Sequence, residues 1–198
     1  MECTDMTEVH KEFGGDRLPP GQRETEAFPV LSKDGVPDWD PETWQFHADG
    51  AVERELSLSL SAFRSLPHET QRQDFHCVTG WSRLDCAFTG VTFPTIAEQA
   101  GVTDAAESVM FTALDGYTTS LPLSDCLRDD VLFAWALDGK ALPEEHGGPL
   151  RVVTPHKYAY KGAKWVTGVE FLTDHERGYW EKRGYSDAAN PWHENRYS

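Results

Sequence analysis

No apolar stretch of this 198-residue chain is long enough to span a bilayer, so membrane insertion is not expected. Positive charge is scarce as well: 18 Lys and Arg stand against 33 Asp and Glu, a formal net charge of -15. Such a field repels nucleic acid and anionic lipid wherever salt leaves it unscreened, which excludes nucleic acid as an expected partner. An acidic protein of this kind fits a strongly charged surface or adaptation to a salt-rich cytosol about equally. Cysteine is sparse, with Cys3, Cys77, Cys86 and Cys126 spread through a chain long enough to bury a core without staples. They read as reduced thiols and not as a disulfide framework. Residues 1–15 show no basic segment followed by an apolar core, so no secretory or twin-arginine signal is visible and the expected location is cytoplasmic. Neither a repeat nor a low-complexity tract is present.

What the chain does contain is a series of short segments punctuated by turns. Residues 1–27 are polar, with Gly14-Gly15 and Pro19-Pro20-Gly21, and are expected to form an arm lying over a domain of residues 28–198, anchored first at Phe28 to Leu31. Trp44, Phe46 and Ala48 alternate with polar neighbours before Asp49-Gly50, and Leu56, Leu58 and Leu60 alternate again, which predicts two half-buried strands. A short helix over 61–66 is expected to be capped by Ser61, and a strand over 72–78 to deliver Cys77 to its end, where Gly80 lets the backbone turn. Phe93-Pro94 opens a helix that Gly101 closes. A hairpin follows over 109–121 around Asp115-Gly116. Residues 131–137 are nearly continuous in apolar side chains, the pattern of a strand buried on both faces, and two more strands at 150–153 and 164–172 flank a basic loop. Many strands and few helices indicate an α+β fold dominated by a β-rich, mixed, barrel-like sheet core. The tail over 177–198 is too rich in Tyr and Trp to be disordered and is expected to wrap the domain.

Two features carry chemistry. Cys77 stands beside His76, Gly80 and Trp81 at a polar strand exit, where a thiol becomes reachable and is held as thiolate by a metal or a cation; taken alone, a cysteine is more often a small buried hydrophobe. His146, Arg151, Lys157, Lys161 and Lys164, with glycines at 147, 148 and 162, concentrate cations in an otherwise acidic chain. Guanidinium geometry suits bidentate phosphate binding, lysine adds a point charge, and glycine lets backbone N–H groups approach the same oxygens. The alternative for that loop is a set of surface salt bridges to nearby carboxylates. Cys86 lies too far along the chain to pair with Cys77 as zinc ligands, and Cys3 and Cys126 have no ligand-rich neighbours.

His-Cys-Val-Thr-Gly-Trp-Ser at 76–82, followed by His-Gly-Gly-Pro-Leu-Arg-Val-Val-Thr-Pro-His-Lys-Tyr-Ala-Tyr-Lys-Gly-Ala-Lys-Trp-Val at 146–166, resembles the molybdopterin-binding domain of the sulfite oxidase family. The likeness is nearer to its small, haem-free members, a group that also resembles the catalytic subunit of protein-methionine-sulfoxide reductase. It extends over Gly-Tyr-Thr-Thr-Ser-Leu-Pro at 116–122 and Gly-Tyr-Trp-Glu-Lys-Arg-Gly-Tyr at 178–185. The resemblance implies one molybdenum–molybdopterin per chain, with Cys77 as the catalytic metal ligand, a role that agrees with sulfur softness. It implies that His146 and Arg151 hold the pterin phosphate while Gly162, Ala163 and Lys164 approach it through backbone N–H groups and an ammonium. The enzyme so implied moves an oxygen atom to or from a small sulfur-type substrate, by sulfite oxidation or sulfoxide reduction. Where animal and plant sulfite oxidases follow the cysteine with an Asn-Arg-Arg run, this chain reads Val78-Thr79-Gly80-Trp81, which departs from a sulfite pocket. With no haem segment and no cluster-binding cysteine set, electrons are expected to pass to a separate carrier. Two other readings stand beside this one. The first is a hydrolase or transferase with Cys77 as nucleophile and His76 as base, although neighbours on a strand point to opposite faces. The second is a molybdopterin-binding domain without turnover.

Overall fold

The computed structural model describes residues 17–198. Cys3 and the expected signal-free start of the chain lie outside the described residues. In chain order the elements are β1 (Arg23–Glu24), β2 (Gln45–Gly50), β3 (Leu56–Ser59), α1 (Leu60–Arg64), β4 (Glu69–Cys77), β5 (Trp81–Thr92), α2 (Phe93–Ala100), β6 (Ser108–Ala113) and β7 (Thr118–Pro122). They continue with α3 (Leu123–Cys126), β8 (Leu132–Leu137), β9 (Lys140–Ala141), β10 (Arg151–Val153) and β11 (Val166–Leu172), with three single 3-10 turns in the second half.

The strands form two sheets. In one, β5 pairs antiparallel with β4 along one edge and with β8 along the other, β10 and β9 add to β8, and β1 lies parallel beside the start of β5. The other runs in the order β3-β2-β11-β6-β7. Both end on open edges, so the expected barrel-like closure does not occur: the core is an α+β arrangement of two open mixed sheets.

Alternation along β8 shows how the core is divided. Phe133 enters the cluster with Phe46, Phe63, Phe93, Phe111 and Phe171, whereas Leu132 and Ala134 face a second cluster with Phe75, Cys77, Trp81 and Phe88. That is why the segment is apolar at nearly every position, as a strand buried on both faces must be. Helix α2 forms as its ends dictate: Thr92 Oγ1 accepts from the Thr95 N–H, Pro94 sits in the first turn, and Gly101 closes it at φ +67. Helix α1 corrects the sequence reading, because Ser59 and not Ser61 caps it, accepting from the Ala62 N–H at 3.2 Å, and it ends at Arg64. Burial of Leu60 and Phe63 on one face sets the earlier start.

Strand β5, the longest, has no sequence signal. Its period-2 pattern is broken at Asp85, held at φ 56, and the register shifts at Thr89/Gly90. Gly90 is needed there, since a Cβ on it would lie 2.1 Å from the Phe133 carbonyl oxygen. The β4–β5 hairpin thereby delivers Cys77 to the rim of the second cluster.

Candidate active site

Cys77 is the last residue of β4, and a tight turn follows it: the Gly80 N–H returns to the Cys77 carbonyl at 3.0 Å, with Gly80 at φ +92. Its Sγ lies 3.1 Å from Thr79 Oγ1 and faces a cavity of about 270 Å³. His76, one residue back, points to the other face of the strand, where Nδ1 meets Ser82 Oγ at 2.8 Å and the ring packs edge-on to Trp192. The two side chains do not form a nucleophile–base pair, as strand alternation requires. Cys86 and Cys126 are buried elsewhere, and burial pushes the Cys86 thiol up to about 12 and the Cys126 thiol well above its ordinary value.

The wall nearest Cys77 brings in His146, Arg151, Gly162 and Lys164. Arg151 is 2% exposed and forms no salt bridge among the described residues. Its guanidinium donates to the His146 carbonyl at 2.9 Å and more weakly to those of Val152 and Gly162, and lies 4.9 Å from the Phe75 ring centroid. Burial brings it down to about 10, so it remains a cation at neutral pH. Lys164 is brought down to about 8 by burial and by Arg151; its Nζ donates to the carbonyls of Leu31 and Glu145. Burial, with Lys164 and Arg151 adding to it, lowers the pKa of His146, which stacks on Phe28 at 4.5 Å as a neutral ring. Gly147, at φ +108, lets the loop press on the stems of both cations: a Cβ there would lie 3.0 Å from the Cβ atoms of Arg151 and Lys164. A buried guanidinium whose acceptors are all neutral carbonyls retains a full unit of charge, and a second cation beside it makes this end of the cavity fit for a phosphate-bearing guest. A soft sulfur at the same wall fits a thiophilic metal. By donor chemistry the residues present therefore fit a metal–pterin group.

Other expected members lie differently. Gly162 lines the cavity, but its N–H is taken by the Ala159 carbonyl at 3.1 Å, and its small size serves packing on β10, where a Cβ would lie 2.5 Å from the Val152 carbonyl oxygen. Ala163 is fully buried and does not line the cavity; its carbonyl accepts from the Val152 N–H at 2.8 Å. Lys157 and Lys161 correct the picture of one cationic cluster. Lys157 pairs with Asp125 at 2.7 Å, and Lys161, fully buried, pairs with Glu181 at 2.6 Å while also bonding the Ser120 carbonyl. Both are internal ion pairs.

Tyr117, Tyr160, Trp180 and Tyr185 also line the cavity, an aromatic set that the sequence did not bring together. The Tyr117 hydroxyl donates to the Tyr160 carbonyl and the Tyr160 hydroxyl to that of Ser186, and burial pushes both phenols well up. With these donors committed, the two tyrosines present ring surface to a guest. The motifs at 116–122, 146–166 and 178–185 each held one or two of these aromatics, without showing that they meet.

A family model described as the oxidoreductase molybdopterin binding domain matches residues 33–180. The uncharacterized oxidoreductase YuiH of Bacillus subtilis is 42% identical over 92% of this chain and 92% of its own length. The putative protein-methionine-sulfoxide reductase subunit YedZ1 of Azospira oryzae is 28% identical over 82% of this chain, which spans 63% of that relative. The crystal structure of the sulfane dehydrogenase SoxCD from Paracoccus pantotrophus superimposes with a TM-score of 0.66 at 19% identity, over 76% of this chain and 42% of that one, a likeness of fold.

Proposed function

The chain belongs to the family of molybdopterin-binding oxidoreductases of sulfite oxidase-like type, and from that membership we propose how its cavity works and what it takes. It is a molybdopterin-dependent oxidoreductase, and the reaction is oxygen-atom transfer to or from a small sulfur-type substrate. When bound, the metal–pterin group supplies the two-electron change at molybdenum; the protein orients it and excludes side reactions. We assign Cys77 as the protein's own thiolate ligand, a reading supported by its place at the cavity wall next to two cations. Arg151 and Lys164 would hold the pterin phosphate, and His146, neutral, would contribute a ring N–H and the stacked surface it shares with Phe28. Gly162 would assist through the space it leaves.

The single observation that carries this reading is Arg151, a buried guanidinium at the cavity wall with only carbonyl acceptors. The aromatic lining of Tyr117, Tyr160, Trp180 and Tyr185 supports an uncharged organosulfur substrate such as a sulfoxide in preference to sulfite, since ring faces carry negative potential and repel anions. We assign residues 28–198 to the cofactor-binding domain; of the expected arm, residues 17–27 run along it and pair with β5 through β1, and residues 1–16 lie outside the described residues. We also keep, as parts of the proposal, a cytoplasmic location, a separate electron carrier, and a site using neither haem nor an iron–sulfur cluster. The test is a screen of purified, molybdenum-containing protein against sulfite with an artificial electron acceptor and against methyl sulfoxides with a reduced viologen. Sulfoxide-dependent viologen oxidation is expected. Turnover of sulfite alone contradicts the substrate assignment, and protein that takes up no molybdenum contradicts the function.

A further inference from the structure

We infer that Gln22 and Arg196 are positioning residues for Cys77, through a clasp that the two ends of the described chain close around its turn. The inference rests on the reading of Cys77 as metal ligand. Gln22 Nε2 donates to the Cys77 carbonyl at 3.1 Å, and Gln22 Oε1 accepts from Ser82 Oγ at 3.2 Å. Backbone bonds seat the same segment: the Arg23 N–H reaches the Gly80 carbonyl at 3.1 Å and the Thr25 N–H that of Ser82 at 2.9 Å. From the opposite end, Arg196 Nη1 donates to the Val78 carbonyl while its guanidinium lies 5.1 Å from the Tyr158 ring. The three stretches meet at one point. A Cβ on Gly21 would lie 2.7 Å from Glu194 Oε1 and 3.2 Å from Arg196 Nη2, and one on Gly80 would lie 3.4 Å from the Gly21 carbonyl oxygen.

The physical need is plain. A turn built around a positive-φ glycine, with one internal backbone hydrogen bond and the contact of Sγ with Thr79 Oγ1, does not by itself fix where the Cys77 backbone sits. Two of its carbonyls are instead held by donors from residues 55 and 118 positions away in sequence, so the thiol direction becomes a property of the closed chain. Neither Gln22 nor Arg196 lines the cavity; Gln22 acts through the Cys77 carbonyl and Arg196 through that of Val78, the next residue.

The variants are Gln22→Glu, which keeps the acceptor for Ser82 and loses the donor to Cys77, Arg196→Ala, and Arg196→Lys as the conservative rescue. In molybdenum-loaded protein the readout is the Mo(V) electron paramagnetic resonance spectrum, which follows the geometry of the sulfur ligand. In the metal-free chain it is the alkylation rate of Cys77 by iodoacetamide, resolved by peptide mass from that of Cys3, Cys86 and Cys126. Gln22→Glu and Arg196→Ala are expected to shift the Mo(V) g-values, with Arg196→Lys returning towards the wild-type spectrum. Both are expected to speed Cys77 alkylation roughly three- to tenfold, the size of effect a lost hydrogen bond has on a local opening, with the buried Cys86 and Cys126 unchanged. Loss of molybdenum from either variant, with faster alkylation of a folded chain, supports the clasp too. Wild-type spectra in both loaded variants overturn it, whatever the alkylation rate. Should the wild type itself take up no molybdenum, the proposed function has failed on its own account, and unchanged alkylation rates in the variants then overturn the clasp separately.

Discussion

At the scale of single residues, function and stability pull against each other at Arg151. A buried cation answered only by carbonyls costs the fold desolvation that an ion pair would offset, so Arg151→Met is expected to leave the metal-free protein as stable or to raise its melting temperature. The same change is expected to weaken phosphate-anchored cofactor binding by about 1.5–3 kcal/mol, the worth of a hydrogen bond to a charged group, read as the rate of pterin loss on dilution. Lys164 gives a pH signature. Its folded pKa, about 8, is depressed from 10.5, so Lys164 loses its proton as pH rises through 8, and above that pH an anion binding beside it must draw a proton back onto the amine. Pyrophosphate affinity of the metal-free protein is expected to fall between pH 7 and pH 9, and this slope should vanish in Lys164→Met. For stability the sign is opposite: between about pH 8 and 10.5 the unfolded chain holds this proton and the folded chain has released it, so the contribution of Lys164 becomes less unfavourable as pH rises. The sequence marked both residues by charge against an acidic background. It did not separate them from Lys157 and Lys161, because lysines paired with Asp125 and Glu181 read the same as lysines facing a cavity until the chain is folded.

At the scale of elements, the buried Lys161–Glu181 pair ties the last 3-10 turn of the chain (Glu181–Arg183) to the one at Ala159–Lys161, with Thr119 of β7 as a third partner at 2.7 Å. Both side chains are fully buried, so removing one partner leaves an uncompensated charge: Lys161→Met is expected to cost about 3–5 kcal/mol in denaturant unfolding. The double variant Lys161→Met, Glu181→Leu should recover much of that loss. In β5, Gly90→Ala is expected to destabilise by roughly 1–3 kcal/mol or more, since the new Cβ meets backbone of β8 and not a movable side chain. Helix α2, the β6–β7 hairpin and β8 were legible because cap residues, turn glycines and apolar runs are local signals. Strand β5 was not, because its irregular register is imposed by two different neighbours, β4 and β8, and leaves no period in its own residues. The aromatic lining of the cavity was hidden as a set for a related reason: Tyr117, Tyr160 and Tyr185 come from three separate stretches and meet only in the fold.

At the scale of the whole molecule, a formal charge of -15 sets a self-repulsion that salt relieves, so the melting temperature is expected to rise between 10 mM and 500 mM NaCl by differential scanning fluorimetry. Against that background the cavity is a local inversion of sign, where β4, the start of β10 and the loop before β11 bring one thiol and two cations to one cavity. Family membership was readable from the order of its motifs, whereas the open edges of the two sheets were not. What most sharply tests the assignment is X-ray absorption at the molybdenum edge of loaded wild-type protein and of Cys77→Ser. The expected result is a metal in the wild type bearing one sulfur beyond those of its dithiolene, with that scatterer lost in the variant. A metal with the same sulfur count in both proteins would contradict the account.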